Sequence, residues 1–272
     1  MLVKIAFQGS ENYSVISCND EKLLQQIKKL LVGFNIENID SSTEFINNEI
    51  ITIRKSESRI YSILYDGEEA TYTEPQAIGF TVRCVLDLLG KDSESNLFLH
   101  GGCVQYSGKI FCFLGKTKSG KSTFTYYLCQ KDNCKYITDD LICLNRENNC
   151  VPFMKPIFLR EDKYINQNDD FVIMEYQDDN RYCILPQQMA DKNQRYNIDI
   201  IVILERNPLE ALSIEKLSIP TAFMSIWQNM HTSENMRAKR MIALELAKKA
   251  KVYKVSYRDV IDDLDMIIEM IG

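Results

Sequence analysis

The amino-acid sequence predicts an α/β protein in two parts, a small α+β module over residues 1–95 and a larger α/β core over residues 96–272. Three stretches carry that expectation. Gly115-Lys116-Thr117-Lys118-Ser119-Gly120-Lys121-Ser122 matches G-x-x-x-x-G-K-[ST] in full, with the apolar run Ile110–Leu114 before it and a helical start from Ser122 to Gln130 after it. Ile198 to Glu205 reads IDIIVILE, an apolar strand of the kind buried on both faces of a sheet. The first third mixes short alternating runs with two amphipathic helices and holds no catalytic constellation.

Composition narrows the class. At 272 residues the chain has the length for one large domain or two modest ones. Its 45% hydrophobic and 26% charged residues are those of a soluble globular protein. A net charge of −6 argues against nucleic acid as a partner. No run approaches the ~18 apolar residues of a membrane helix, so no membrane partner is expected either. The start, MLVKIAFQGSENYS, carries too short an apolar stretch for a signal peptide. Nine cysteines with no C-x-x-C among them form neither a disulfide framework nor a zinc pattern. Cys112, Cys129 and Cys143 sit in apolar runs and read as small buried thiols, so the expected compartment is a reducing cytoplasm.

Taken in order, Leu2 to Phe7 alternates as a strand, with Tyr13 to Ser17 as its hairpin partner. Asn19 or Asp20 caps a helix whose Leu23, Leu24, Ile27, Leu30 and Leu31 form one stripe, ended by Gly33. Ile50 to Arg54, Arg59 to Tyr65 and Glu68 to Tyr72 form a meander, turning at Asp66-Gly67. Pro75 opens a helix carrying Ile78, Val82, Val85, Leu86 and Leu89, closed by Gly90. Lys91 to Asn96 is the boundary. Beyond it come strands at Leu97–Gln105 and Lys109–Leu114, joined at Ser107-Gly108, then the glycine loop and its helix. Tyr136–Thr138 and Leu141–Asn145 flank Asp139-Asp140, and Arg146–Asn149 is a polar turn. Cys150–Phe153 and Ile157–Arg160 read as strands, Glu161–Asp170 and Gln177–Arg181 as loops. Ser218 and Pro220 start a helix with Phe223, Ile226, Trp227 and Met230. Ser233 caps the next, whose basic residues between Arg237 and Lys251 read as a solvated face. Val252–Tyr257 is the last strand and Val260–Ile271 the last helix.

A strand, a glycine turn and a helix start gather free backbone N–H groups and the positive end of a helix at one point. Lys121 can then reach β- and γ-phosphates, and the Ser122 hydroxyl, with Thr123 beside it, can hold Mg²⁺. Asp139 and Asp140 stand at a strand end, where adjacent side chains point to opposite sides. One carboxylate can therefore lean towards the metal and the other towards the γ-phosphate and acceptor. His100 precedes Gly101-Gly102, and the next strand pair leads into the loop, so it could lie beside the phosphates. His231 stands between two helices and fits a capping or surface role. A rival acid is Glu205, which follows Ile200–Leu204 as the acid of an NTP-hydrolysing switch would, though no arginine-finger or sensor segment accompanies it.

His100-Gly101-Gly102, the loop through Thr123, and Thr138-Asp139-Asp140 resemble the catalytic core of HPr kinase/phosphorylase. The likeness is closer to the short HPr-kinase-like proteins encoded beside ribosomally made peptides, the lasso precursor peptide kinases among them. Val151-Pro152-Phe153, Lys155-Pro156 through Arg160, the strand into Glu205 and Tyr253–Tyr257 extend it over residues 97 to 271. The resemblance implies a fold like that of phosphoenolpyruvate carboxykinase, with the loop on a mixed sheet, and ATP and Mg²⁺ as cofactors. It also implies roles: Lys121 on the phosphates, Ser122 and Asp140 by the metal, Asp139 as the base taking the acceptor hydroxyl proton, and His100 next to that base. Ile157-Phe158-Leu159-Arg160-Glu161 stands where HPr kinase carries Leu-Glu-x-Arg-Gly, and the N-terminal module differs. The expected acceptor is therefore a serine of a precursor peptide or small protein, with phosphorylase activity not carried over. Phe153–Tyr164 and the helices around Trp227 are expected to wall the acceptor groove, with Lys155, Arg160, His231 and Arg237 as cations for a peptide carboxylate or the transferring phosphate. A small-molecule kinase and a non-kinase NTP switch stay open as alternatives, as does a homo-oligomeric state.

Overall fold

A computed structural model describes residues 1–6, 13–40, 50–91, 97–145, 147–166, 169–176, 179–230 and 236–272. The readings placed on Phe7, the 92–96 boundary, Arg146, Gln177, His231 and Ser233 lie outside these residues. The chain divides into two compact units, Met1–Glu94 with Leu159–Leu185, and Ser95–Phe158 with Pro186–Gly272. The sequence places Leu159–Leu185 in the second part; in the structure it joins the first.

In the first unit β1 (Leu2–Ala6) and β2 (Tyr13–Cys18) pair antiparallel. Asp20 caps α1 (Glu21–Leu30) by accepting from the Leu23 amide, a contact worth about 1 kcal/mol. β3 (Asn35–Ile39) adds to the free side of β1. Its sequence, NIENI, is mostly exposed, which hides it from a search for apolar alternation. β4 (Ile50–Glu57), β5 (Ile60–Tyr65) and β6 (Glu68–Thr73) form the expected meander. Asp66 and Gly67 both have positive φ, as a tight hairpin turn requires. β4 runs parallel to β2, completing the order β3-β1-β2-β4-β5-β6. α2 (Glu74–Lys91) carries Pro75 in its first turn and continues past Gly90.

The strand expected over Leu97–Gln105 is broken at His100. β7 (Leu97–Leu99) pairs with β11 (Ile142–Leu144) in a small sheet, whereas β8 (Gly101–Tyr106) pairs with β9 (Lys109–Leu114) and β10 (Cys134–Thr138) in the main one. Between β9 and β10 runs α3 (Lys121–Cys129). β12 (Cys150–Val151) stops before Pro152, which has no N–H to continue a ladder, instead of running to Phe153. β13 (Ile157–Leu159) crosses the division between the units. β14 (Phe171–Tyr176) and β15 (Asp179–Ile184) then form a hairpin where Gln177–Arg181 reads as a loop, because Asp179, Asn180 and Arg181 are polar strand residues. This hairpin is backbone-close to α2: a Cβ on Gly79 would lie 2.1 Å from the Glu175 carbonyl oxygen.

The rest of the second unit is β16 (Ile200–Arg206), β17 (Ser213–Lys216), α4 (Ile219–Gln228), α5 (Met236–Lys249), β18 (Lys251–Tyr257) and α6 (Val260–Ile271). Its sheet, ordered β10-β8-β9-β16-β18-β17, is mixed: β9, β16 and β18 are parallel, the others antiparallel. Strand alternation divides the core in two. Cys112, Leu114 and Ile201 face Ala222 and Ile226 of α4 and Leu246 of α5. Phe111, Phe113, Val202 and Leu204 face Phe124 and Leu128 of α3 and Leu264 and Ile267 of α6. Helices on both faces are why IDIIVILE is apolar almost throughout.

Candidate functional site

The loop leaves β9 at Leu114, at the carboxyl end of three parallel strands, the end where open α/β sheets bind ligands. Three of its residues have positive φ: Gly115 (147°), Lys118 (68°) and Gly120 (88°). Both glycines are also forced by neighbours. A Cβ on Gly115 would lie 2.5 Å from the Leu204 carbonyl oxygen, and one on Gly120 would lie 1.9 Å from the Tyr257 hydroxyl. That hydroxyl donates to the Ser119 carbonyl at 2.7 Å, so the end of β18 clamps the loop. Lys121 is 7% exposed, and its ammonium donates to the Gly115 and Lys116 carbonyls, each at 2.9 Å. The loop is thus curled around the lysine, and α3 begins at Gly120 with no side chain over its first amides. Lys116, Thr117 and Lys118 are exposed around this turn, with Ser122 and Thr123 half-buried on the helix.

Gly120→Ala adds both the clash and the strained φ, and is expected to lower the melting temperature by several degrees. Adding Tyr257→Phe removes the clashing oxygen and should restore part of the loss. A wild-type melting temperature in the single variant would contradict this packing.

After β10 the chain turns sharply. The Thr138 hydroxyl lies 2.7 Å from both the Leu141 and Phe153 carbonyls, and Asp140 takes a left-handed conformation at φ 65°. The two carboxylates meet opposite surroundings. Asp139 is fully buried, and among the described residues neither of its oxygens has a hydrogen-bond partner. Burial, and then the neighbouring Asp140 charge, push its pKa up to about 6, while the Ser122 hydroxyl, the Lys155 charge and the Asp140 amide pull the other way. Gly102 leaves it room: a Cβ there would lie 2.0 Å from the Thr125 hydroxyl and 3.0 Å from Asp139 Oδ1. Asp140 is partly open. The Lys155 ammonium, 2.7 Å from its Oδ2, holds its carboxyl well below the usual range, and the bond from His100 adds to that. His100 Nδ1 lies 3.1 Å from the Asp140 carbonyl oxygen and 3.3 Å from Oδ1.

The break between β7 and β8 therefore sets His100 against Asp140, where the sequence expectation put it beside Asp139. The carboxylate set against Ser122 is likewise Asp139, whereas the expectation put Asp140 by the metal. Lys155 was expected only as a groove cation. Its signal was in the sequence: a single lysine in VPFMKPIFL, buried in an apolar run, needs a charged partner.

Arg160 is exposed and belongs to the first unit, Arg237 is exposed at the start of α5 in the second, and His231 is outside the described residues. Trp227 stacks on Phe223 with the Lys239 ammonium 5.1 Å from its ring. Glu205, the rival acid, is half-exposed and paired with Lys254 at 2.7 Å. All nine cysteines are free thiols, and Cys129 is partly exposed where Cys112 and Cys143 are buried. No described helix is long and apolar enough to cross a membrane.

No protein-family model matches the chain, and no curated protein matches it. Among solved structures 23 chains match. One is the HPr(Ser) kinase/phosphatase from Coxiella burnetii, at 13% sequence identity and a TM-score of 0.33, over 64% of this chain and 92% of that one.

Proposed function

We propose that the chain is an ATP- and Mg²⁺-dependent kinase of HPr-kinase-like type, moving the γ-phosphate to a serine hydroxyl of a ribosomally made precursor peptide or small protein. One observation carries the nucleotide half of this reading: a fully buried carboxylate with two unpaired oxygens, Asp139, set against the serine that follows the loop lysine. An unpaired buried carboxylate is costly unless a cation completes it. Two hard oxygen donors, Asp139 and Ser122, fit Mg²⁺, which takes one or two protein oxygens and fills its octahedron with phosphate and water. When bound, that ion neutralises charge on the β- and γ-phosphates.

In this reading the carboxylates divide the work opposite to the sequence expectation. Asp139 holds the metal side. Asp140, reachable from solvent and kept ionised by Lys155 with His100 fixing its orientation, orients the acceptor by accepting the hydrogen bond of its hydroxyl, whose proton leaves only as the bond to phosphorus forms in a loose transition state. The loop amides and Lys121 hold the phosphates. The acceptor class rests on the sequence resemblance.

The test is phosphate transfer from γ-labelled ATP with Mg²⁺ to serine peptides, run beside their Ser→Ala versions and a no-peptide control. Label in phosphoserine supports the reading. Release of inorganic phosphate alone would make the chain a hydrolase or switch, and label in a metabolite would make it a small-molecule kinase.

A further inference from the structure

The residue that joins the nucleotide loop to the acceptor-side carboxylate belongs to no motif. We propose that Asn229, at the end of α4, is a positioning residue that sets the start of the loop and His100 relative to each other; the inference rests on the site reading above. Its Oδ1 accepts from the Gly115 amide at 3.0 Å, fixing the first residue of the loop. Its Nδ2 donates to the Ser225 carbonyl at 2.8 Å, which locks the side chain onto its own helix. Its carbonyl accepts from the His100 amide at 2.8 Å, and Met230 bridges Leu99 just beyond. His100 in turn touches Asp140.

The position explains itself chemically. The chain breaks between β7 and β8 at His100, so that residue's amide needs a partner outside either ladder. Gly115, at φ 147°, has turned out of β9 and needs one too. A helix C-terminus presents unpaired carbonyls, and an asparagine there adds a side-chain acceptor alongside the main-chain one. A single residue thereby satisfies both amides and sets the spacing between the two halves of the site. Small displacements of such groups are costly to transfer rates.

Asn229→Ala removes the bond to Gly115 and keeps the main-chain bond to His100. ATP affinity by calorimetry should fall about fivefold to tenfold, the size of one neutral hydrogen bond. kcat at saturating ATP should fall as well, and the melting temperature by a few degrees, because the Gly115 amide is left unpaired. Asn229→Asp keeps shape and acceptor but faces a second oxygen at the Ser225 carbonyl and adds a negative charge near the phosphates. It should lose more ATP affinity than Asn229→Ala at similar thermal stability. Wild-type ATP affinity in both variants would overturn the proposal, as would losses that follow melting temperature alone. The affinity ratio decides the role of Asn229 whether or not any acceptor is phosphorylated, so its failure is separate from failure of the kinase reading.

Discussion

Asp139→Asn should make the nucleotide-free protein more stable above neutral pH while abolishing phosphate transfer. The carboxyl is raised from its ordinary 3.8 to about 6 by burial, so the folded state binds its proton more tightly than the unfolded chain does. Its favourable contribution is therefore complete below about pH 4 and lost as pH rises through 6. Above that, folding must bury an ionised carboxylate, at a cost of about 3 kcal/mol for a shift of this size. The amide carries no charge at any pH, so the variant should gain up to about that much at pH 8 and nothing at pH 4. Chemical denaturation at the two pH values reads the difference directly. The same substitution removes a hard ligand. Wild-type protein with ATP should gain melting temperature on Mg²⁺ addition, and the variant should not. A variant less stable than wild type at pH 8, with the Mg²⁺ response intact, would mean that Asp139 has a structural partner and no metal.

The other large effect is at Lys121. Its ammonium has two tasks: it curls the loop by bonding the Gly115 and Lys116 carbonyls, and in the proposed reading it supplies the charge that meets the β- and γ-phosphates. Charge-assisted hydrogen bonds are worth about 1.5–3 kcal/mol each. Losing one or two of them to phosphate corresponds to a drop in ATP affinity of about 10- to 10⁴-fold, and Lys121→Ala should show no measurable transfer. Because the lysine is buried in its own loop, a small loss of thermal stability should accompany it. Equilibrium binding and transfer assays on one preparation separate the two. Near wild-type binding and turnover in Lys121→Ala would remove the loop from the chemistry.

What could be read from the sequence was contiguous. Gly115 to Ser122 announces itself because a phosphate loop needs its glycines, lysine and hydroxyl at fixed neighbouring positions. IDIIVILE shows because helices on both faces strip a strand of polar residues. The break at His100 is marked only by His100-Gly101-Gly102 between the buried Leu99 and Cys103, and glycines inside an otherwise apolar segment do not say whether a strand ends or merely bends there. NIENI of β3 and the start of β15 are strands by hydrogen bonding alone, with too few buried side chains to mark them. The partners of the loop were hidden for a different reason. Tyr257 and Asn229 lie far along the chain from the groups they touch, and no local pattern brings a strand end or a helix end to a particular backbone group. Adjacent aspartates announce a pair; only the turn after β10 says which of them is buried.

The most direct measurement is anomalous diffraction from crystals grown with Mn²⁺ and a non-hydrolysable ATP analogue. One peak is expected beside the Ser122 hydroxyl at close to the ~2.1 Å of such metal–oxygen bonds, with Asp139 as its neighbouring carboxylate. The phosphates should lie over the amides of Lys116 to Lys121, and Asp140 should still be held by Lys155 and His100 on the acceptor side. A peak on Asp140 with Asp139 unliganded, or a nucleotide seated away from the loop, would contradict this arrangement.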